Sequence, residues 1–366
     1  MAKSLAFWLE GNKSKKTNIE LHFNFWSLND SEKHGINYLD VGVKFLGAKT
    51  ADYIKIYFPF PVPEEKYVSA LGAVICDRNP PLIPAIFNTN VKSVHPGPER
   101  ADIIFQSEQD SKLRFHWQIE LGGLGEGVSL EDVADANDSG TVISFPMRLF
   151  RDSTVDFPDD EERPNYFRFR IKISNDDKNT LSQTYRSKDA KVLSRLESTE
   201  VVDFRVNEIR NLPPKIRSRL ENDSCITAVH FFLIRETHSE HKLSHTEFKR
   251  CRVLEKSLWD PYLRVDSKSN LAIPEQMLIY HWKESVDNEA GSEVLKYLDN
   301  FSAFAKFSKT TVSVMTLVGF ILTIVVLGVF SGVIGNFMYS ALADYGDSLC
   351  EIQSVSGPTS GDKKID

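Results

Sequence analysis

Three histidines crowd one short segment, His238, His241 and His245, with Glu240 between them and Cys251 a little further on. Imidazole and thiolate groups at such spacing suit zinc. The segment is strongly polar, however, and joins two strand-like runs, Ile226–Glu236 and Phe248–Glu255. A solvated hairpin loop is the better account, so no metal and no other cofactor is assigned, and these three histidines stay only as weak metal candidates. A second chemistry-bearing group is Arg168, Arg170 and Lys172, whose alternate spacing puts them on one face of a strand. Such a face can receive an acidic protein, a small anionic ligand or lipid headgroups, and it can equally be a solvated strand face.

Other motifs carry less. Gly122-Gly123-Leu124-Gly125-Glu126-Gly127 follows a strand-like run, but its spacing is neither a dinucleotide fingerprint nor a P-loop, and it reads as a turn. Asp159, Asp160, Glu161 and Glu162 stand beside Pro158 and Pro164 as a solvated acidic loop. His230 lies inside an apolar run and reads as a core histidine. A hydrolase or nuclease reading would need a non-contiguous site using His230, His116 or the histidine loop, because no GxSxG, HExxH or kinase signature occurs.

The elements that must hold these groups are mostly strands. Period-two alternation runs through Ile19–Phe25, Leu39–Phe45, Ile54–Phe60, Leu113–Leu121 and Phe167–Ile173. Each such run implies one buried and one wet face, as in antiparallel sheets. Further strands are expected at 141–149, 201–209, 248–255 and 276–283. Ile226–Ile234 is apolar on both faces and reads as a central strand. The 24 Phe and 11 Tyr fit this bias. Helices are expected at 63–76, from Ser129 in a short capping box, and at 213–220.

One segment does not belong to a water-soluble fold. No charged residue falls between Lys309 and Asp344, and Val312 to Ile334 is apolar around its whole circumference. At 1.5 Å per residue that stretch spans roughly 35 Å, enough for a hydrocarbon core of about 30 Å. Lys296, Lys306 and Lys309 flank its N-terminal side, and Asp344, Asp347 and Glu351 the other. The positive-inside rule then puts the preceding domain in the cytoplasm. The N-terminal residues, interrupted by Glu10, do not read as a signal peptide. Gly328, Ser331, Gly332 and Gly335 make overlapping small-xxx-small pairs suited to helix self-association.

The expected architecture is mainly β: one or two antiparallel β-sandwich-like units with few short helices, then a connector helix and a single C-terminal transmembrane helix. The segments are 1–155 and 156–288 as β-rich domains or halves, 289–309 as an amphipathic connector helix, 310–340 as the membrane span and 341–366 as a disordered tail. Cys76, Cys225, Cys251 and Cys350 form no CxxC and are expected to be reduced and mostly buried. A net charge of −7 disfavours non-specific nucleic-acid binding. The expected partners are the lipid bilayer, a second copy through the span, and a protein or small anionic ligand. The expected function is a membrane-anchored, tail-anchored binding or sensing protein, in one version a bacterial defence effector that acts on the inner membrane. The alternatives are a membrane-tethered hydrolase or nuclease, and a docking subunit of a membrane complex.

Overall fold

A computed structural model describes residues 3–12, 17–28, 35–48, 50–107, 111–122, 127–135, 138–151, 163–186, 197–220, 225–265, 271–288, 295–310 and 314–354. In chain order the strands are β1 (Ala6–Glu10), β2 (Asn18–Leu28), β3 (Ile36–Leu46), β4 (Tyr53–Phe58), β5 (Tyr67–Val68), β6 (Val91–Pro96), β7 (Arg100–Phe105), β8 (Ser111–His116) and β9 (Ser129–Asp135). They continue as β10 (Asp138–Pro146), β11 (Asn165–Lys172), β12 (Ser182–Arg186), β13 (Glu197–Val206), β14 (Ile226–Glu236), β15 (Glu240–Ser244), β16 (Arg250–Glu255), β17 (Gln276–Ser285) and β18 (Phe301–Thr310).

A central sheet runs in the order β16-β17-β14-β2-β3-β11-β8-β7-β6, with β5 added beside β11. It is mixed: β2 and β14 pair in parallel, as do β11 and β8, while β2–β3 and β3–β11 are antiparallel. Two four-stranded sheets, β1-β4-β10-β9 and β12-β13-β18-β15, pack on one face of it. That shared core is rich in rings, such as Phe204 stacked on Phe231 at 4.2 Å and Phe145 against Phe167 at 4.7 Å. The fold is therefore mainly β and sandwich-like, with few helices. Residues 1–309 form one compact unit. Because β2 and β3 lie between β14 and β11, the expected boundary at residue 155 runs through one sheet rather than between two bodies.

Alternation implied that the second face of the central strands would be wet. Instead it is roofed by the segment 63–87 and by the helix Lys256–Leu263, which bury a second apolar cluster around Trp26, Trp259 and Tyr262. Arg168 and Arg170, expected at a ligand-accessible or solvated surface, are 1% and 2% exposed. Arg170 donates to both oxygens of Asp40, from Nε at 2.6 Å and Nη2 at 3.1 Å. Tyr262 donates from its hydroxyl to Asp40 at 2.6 Å and accepts from Arg168 Nε at 2.8 Å. Trp26 Nε1 also donates to Asp40, at 2.7 Å. The physical reason for the correction is mutual satisfaction: a polar strand face can be buried when its charges pair with one another. Lys172, at the strand end, is only partly buried.

Three helical expectations change. The connector helix expected over 289–309 is a strand in its second half, because Phe301, Ala303, Ala305 and Phe307 are buried at alternate positions in β18. The spacing of Leu298, Phe301 and Ala305 fits a helix stripe as well as an alternating one, and sheet pairing decided between them. The capping box at Ser129 opens β9, which pairs with β10 as a hairpin. Within 63–76 only short helical turns form around the two-residue β5. The helix Pro214–Leu220 is as expected. Residues 159–162 and 123–126 lie outside the described residues.

The second unit is a helix, Val314–Ser354, within which Leu317–Tyr345 is long and apolar enough to cross a membrane. Its 29 residues rise about 44 Å, which exceeds a hydrocarbon core of about 30 Å. None of it is buried in protein. The helix continues past residue 340, so the first part of the expected tail, to Ser354, is helical. Ala341, Leu342 and Ala343 carry the apolar character beyond that boundary.

Candidate functional site

The roof over the second face stops short, and a cavity of about 510 Å³ opens beside it. Its floor comes from four adjacent strands of the central sheet. Glu20 and His22 lie on β2, Lys44 on β3, His230 and Phe232 on β14, and Ile279, His281 and Lys283 on β17. Register brings them together: His22 pairs with His230 across the parallel β2–β14 ladder, and Phe232 pairs with His281 across β14–β17. Residues 85–89 form one wall, with Asn88 in the left-handed conformation, φ 51°. Arg250 donates to Asn88 Oδ1 at 2.7 Å and Arg252 to the Ala85 carbonyl at 2.9 Å, which ties that wall to β16.

At the floor, one carboxylate collects several partners. Glu20 Oε1 lies 2.9 Å from His22 Nε2 and 3.3 Å from His230 Nε2, and Lys44 Nζ donates to Glu20 Oε2 at 3.1 Å. The His230 contact lacks hydrogen-bond geometry, so among the described residues its buried Nε2 has no hydrogen-bond partner. On the other side of the ring, His230 Nδ1 lies 3.1 Å from His281 Nε2. The rings of His22 and His230 are 4.8 Å apart, and His281 stacks on Phe232 at 4.2 Å.

These contacts set the protonation states. Burial works against ionising Glu20, but the hydrogen bond from His22, the close approach of His230 and the charge of Lys44 outweigh it and hold its pKa well below the usual carboxylate range. Burial pushes His22 down to about 4, against the pull of Glu20. Burial, with His230, His22 and Lys283 nearby, brings His281 down to about 3. The floor at neutral pH thus presents a carboxylate with His22 and His281 as neutral imidazoles.

Around this floor the charge is one-sided. Among the described residues, Lys44, Lys112, Lys249, Arg250, Arg252 and Lys283 line the cavity against one acidic side chain, Glu20. In a chain of net charge −7, that is a concentrated positive field. Phe87, Phe105, Phe232 and Ile279 supply an apolar wall. The arrangement matches a ligand pocket in general form: an apolar surface with a few convergent polar groups.

The residues singled out from sequence fall elsewhere, with one exception. His230, read as a core histidine and as a hydrolase candidate, is in the cavity. His116 is buried, lies 2.8 Å from Asn165 Oδ1 and packs against Phe150. His238 is exposed near Glu236, while His241 packs among Phe248, Tyr280 and Phe307. His245 lines a separate shallow pocket with Ser244 and Phe304. Among the described residues, the cluster of three or more metal-ligating side chains is Glu20, His22 and His230, and His238, His241 and His245, weighed as metal candidates against a solvated loop, are not grouped in it. Arg168 and Arg170 lie on the same sheet face under the roof helix and are not in the cavity lining. Glu20, His22 and His281 were missed as site residues, and their one sequence signal was an ionisable side chain on the polar side of a strand. Cys76 and Cys225 are buried as expected, and Cys251 is exposed. A side chain added at Gly328, Gly332 or Gly335 would meet nothing within 4 Å, so that helix face is open. No protein-family model, characterised protein or solved structure matches this chain.

Proposed function

We propose that the chain is a membrane-anchored receptor for a small anionic ligand with an apolar or aromatic body, held in the cavity over β2, β14 and β17. The observation that carries this reading is the lining: among the described residues, six lysine and arginine side chains and one carboxylate surround a cavity with a phenylalanine wall. Cations converging on a partly apolar cleft favour phosphate or carboxylate guests, and arginine offers them a bidentate fork. The apolar helix is the anchor, and Lys296, Lys306 and Lys309 on its N-terminal side support a cytoplasmic placement of the domain. The open small-residue face at Gly328, Ser331, Gly332 and Gly335 supports self-association in the bilayer, through which ligand binding could reach the membrane.

The test is thermal shift and calorimetry on the detergent-solubilised full chain in chelator-treated buffer, with pyrophosphate and nucleoside mono-, di- and triphosphates as probes. At least one should raise the melting temperature, more weakly at high salt. Lys249→Glu and Arg250→Glu should abolish that rise while leaving the ligand-free melting temperature nearly unchanged. A full probe set that produces no shift would sink the reading.

A further inference from the structure

We propose that Glu20, His22 and His230 form a binding site for a divalent first-row transition ion such as Zn²⁺, with its open coordination position turned to the cavity. The inference stands on the triad's geometry and does not need the anion reading to hold.

Two imidazoles and one carboxylate are a familiar donor set for zinc and for ferrous iron, with positions left for water or a guest. Distances agree. Zinc bonds of about 2.0–2.1 Å in a tetrahedral shell place neighbouring donor atoms about 3.3 Å apart. His230 Nε2 and Glu20 Oε1 are 3.3 Å apart, and His22 Nε2 and Glu20 Oε1 are 2.9 Å apart. All three donor atoms lie within 4.8 Å of one another. Two of the three edges thus lie within a few tenths of an ångström of the zinc value.

The orphaned His230 nitrogen is the more telling feature. A buried imidazole nitrogen that faces a carboxylate without hydrogen-bonding it calls for an explanation, and a bound ion is one. Both groups aimed at one third point would explain it. The surroundings are built to keep them aimed. His281 Nε2 stands 3.1 Å from His230 Nδ1 and can accept its proton, leaving the His230 Nε2 lone pair for the ion. Lys44 engages Glu20 Oε2, leaving Oε1 as the donor. Both are the kind of supporting contact that orients metal ligands. All three ligands stand on neighbouring strands of the sheet, β2 and β14, so the site is preorganised. The remaining coordination positions face the cavity, where water or an anionic oxygen of a guest completes the shell.

The experiment uses the full chain in detergent, stripped with chelator and dialysed against Zn²⁺ or Co²⁺ alone. We expect about one metal per chain by mass spectrometry of the elements, and visible ligand-field bands from bound Co²⁺. His22→Ala and His230→Ala should each remove the stoichiometric metal. His281→Ala should weaken binding about 10- to 100-fold without abolishing it, as loss of an orienting contact does. His241→Ala, outside the site, should bind as the native chain does. The proposal is overturned if the native chain takes up no Co²⁺ with ligand-field bands, or if both His22→Ala and His230→Ala retain full stoichiometry. The native-chain measurement decides the matter even if a variant fails to fold. Because the anion probes are run free of metal, the two readings fail separately.

Discussion

At the scale of single residues, the molecule depends on a few buried charges whose partners are fixed. Asp40 is wholly buried and serves Arg170, Trp26 and Tyr262 at once, with Arg168 Nη2 at 3.9 Å. Removing one member of a buried ion pair leaves the other charged and unpaired, at a cost of about 3–5 kcal/mol. Asp40→Ala should therefore lower the denaturant midpoint severely or prevent folding, and a loss under about 1 kcal/mol would contradict the network described. The cavity floor gives a pH dependence with a definite sign. His22 and His281, with pKa values near 4 and 3, are neutral in the folded chain, while their ordinary value is 6.5. Between these limits the unfolded chain binds more protons, so stability rises with pH across the window and falls as acid is added. Above pH 6.5 these two groups contribute no slope. Glu20, with a depressed pKa, adds in the same direction, losing its contribution as pH falls below its ordinary 4.5. Urea midpoints of metal-free protein should drop from pH 7 to pH 5, and His22→Gln should flatten that dependence. Equal midpoints at the two pH values would refute the neutral-histidine floor.

At the scale of elements, close fits decide which residues can change. Gly42 on β3 lies under the Tyr166 ring, and a Cβ there would come within 2.0 Å of the Tyr166 hydroxyl. Gly42→Ala must displace Tyr166, which packs against Phe115 at 4.8 Å and Phe87 at 5.0 Å, and overpacking of this kind costs about 1–3 kcal/mol. A melting temperature equal to that of the native chain would show that the hollow is not tight. β18 offers a sharper contrast. Phe301 is buried and Phe304 only partly so, hence Phe301→Ala should cost about 3–5 kcal/mol and Phe304→Ala distinctly less. Equal effects would revive the helical reading of this segment. That segment also shows what the sequence holds. Strands such as Leu39–Phe45 and Phe167–Ile173 were legible because alternation is local. Near 301 the same residues satisfied two periods, and only pairing within its sheet resolved them. The cavity was harder still. His22 and His230 are neighbours because two strands from opposite ends of the domain run in parallel, and no local pattern records that. The polar strand face read as solvent-facing for the same reason, since its roof arrives from residues 63–87 and 256–263.

At the scale of the whole molecule, the decisive element is the one that packs against no protein. Leu317 to Tyr345 exposes Leu, Ile, Val and Phe on every side, with Ile324 68% and Phe330 63% exposed. A fully apolar side chain left in water forgoes about 1.5–3 kcal/mol, and this helix carries more than a dozen such residues. Lipid removes that cost, and the helix satisfies its own backbone hydrogen bonds, the condition for crossing hydrocarbon. Thr323 fits the same logic, because its hydroxyl donates to the Gly319 carbonyl one turn back at 2.8 Å. The full chain should therefore sediment with membranes and resist extraction by alkaline carbonate. A chain ending after Thr310 keeps β18, and with it the sheet that packs on the shared core, so it should stay in the supernatant and retain the cavity. If the full chain were extracted by carbonate, or stayed in solution without detergent, the helix would need a protein partner to cover it, and the anchor reading would fall. If the shortened chain sedimented as well, the domain would hold a second membrane contact beyond the helix. Anchoring and ligand binding would then no longer be separable functions of the two units.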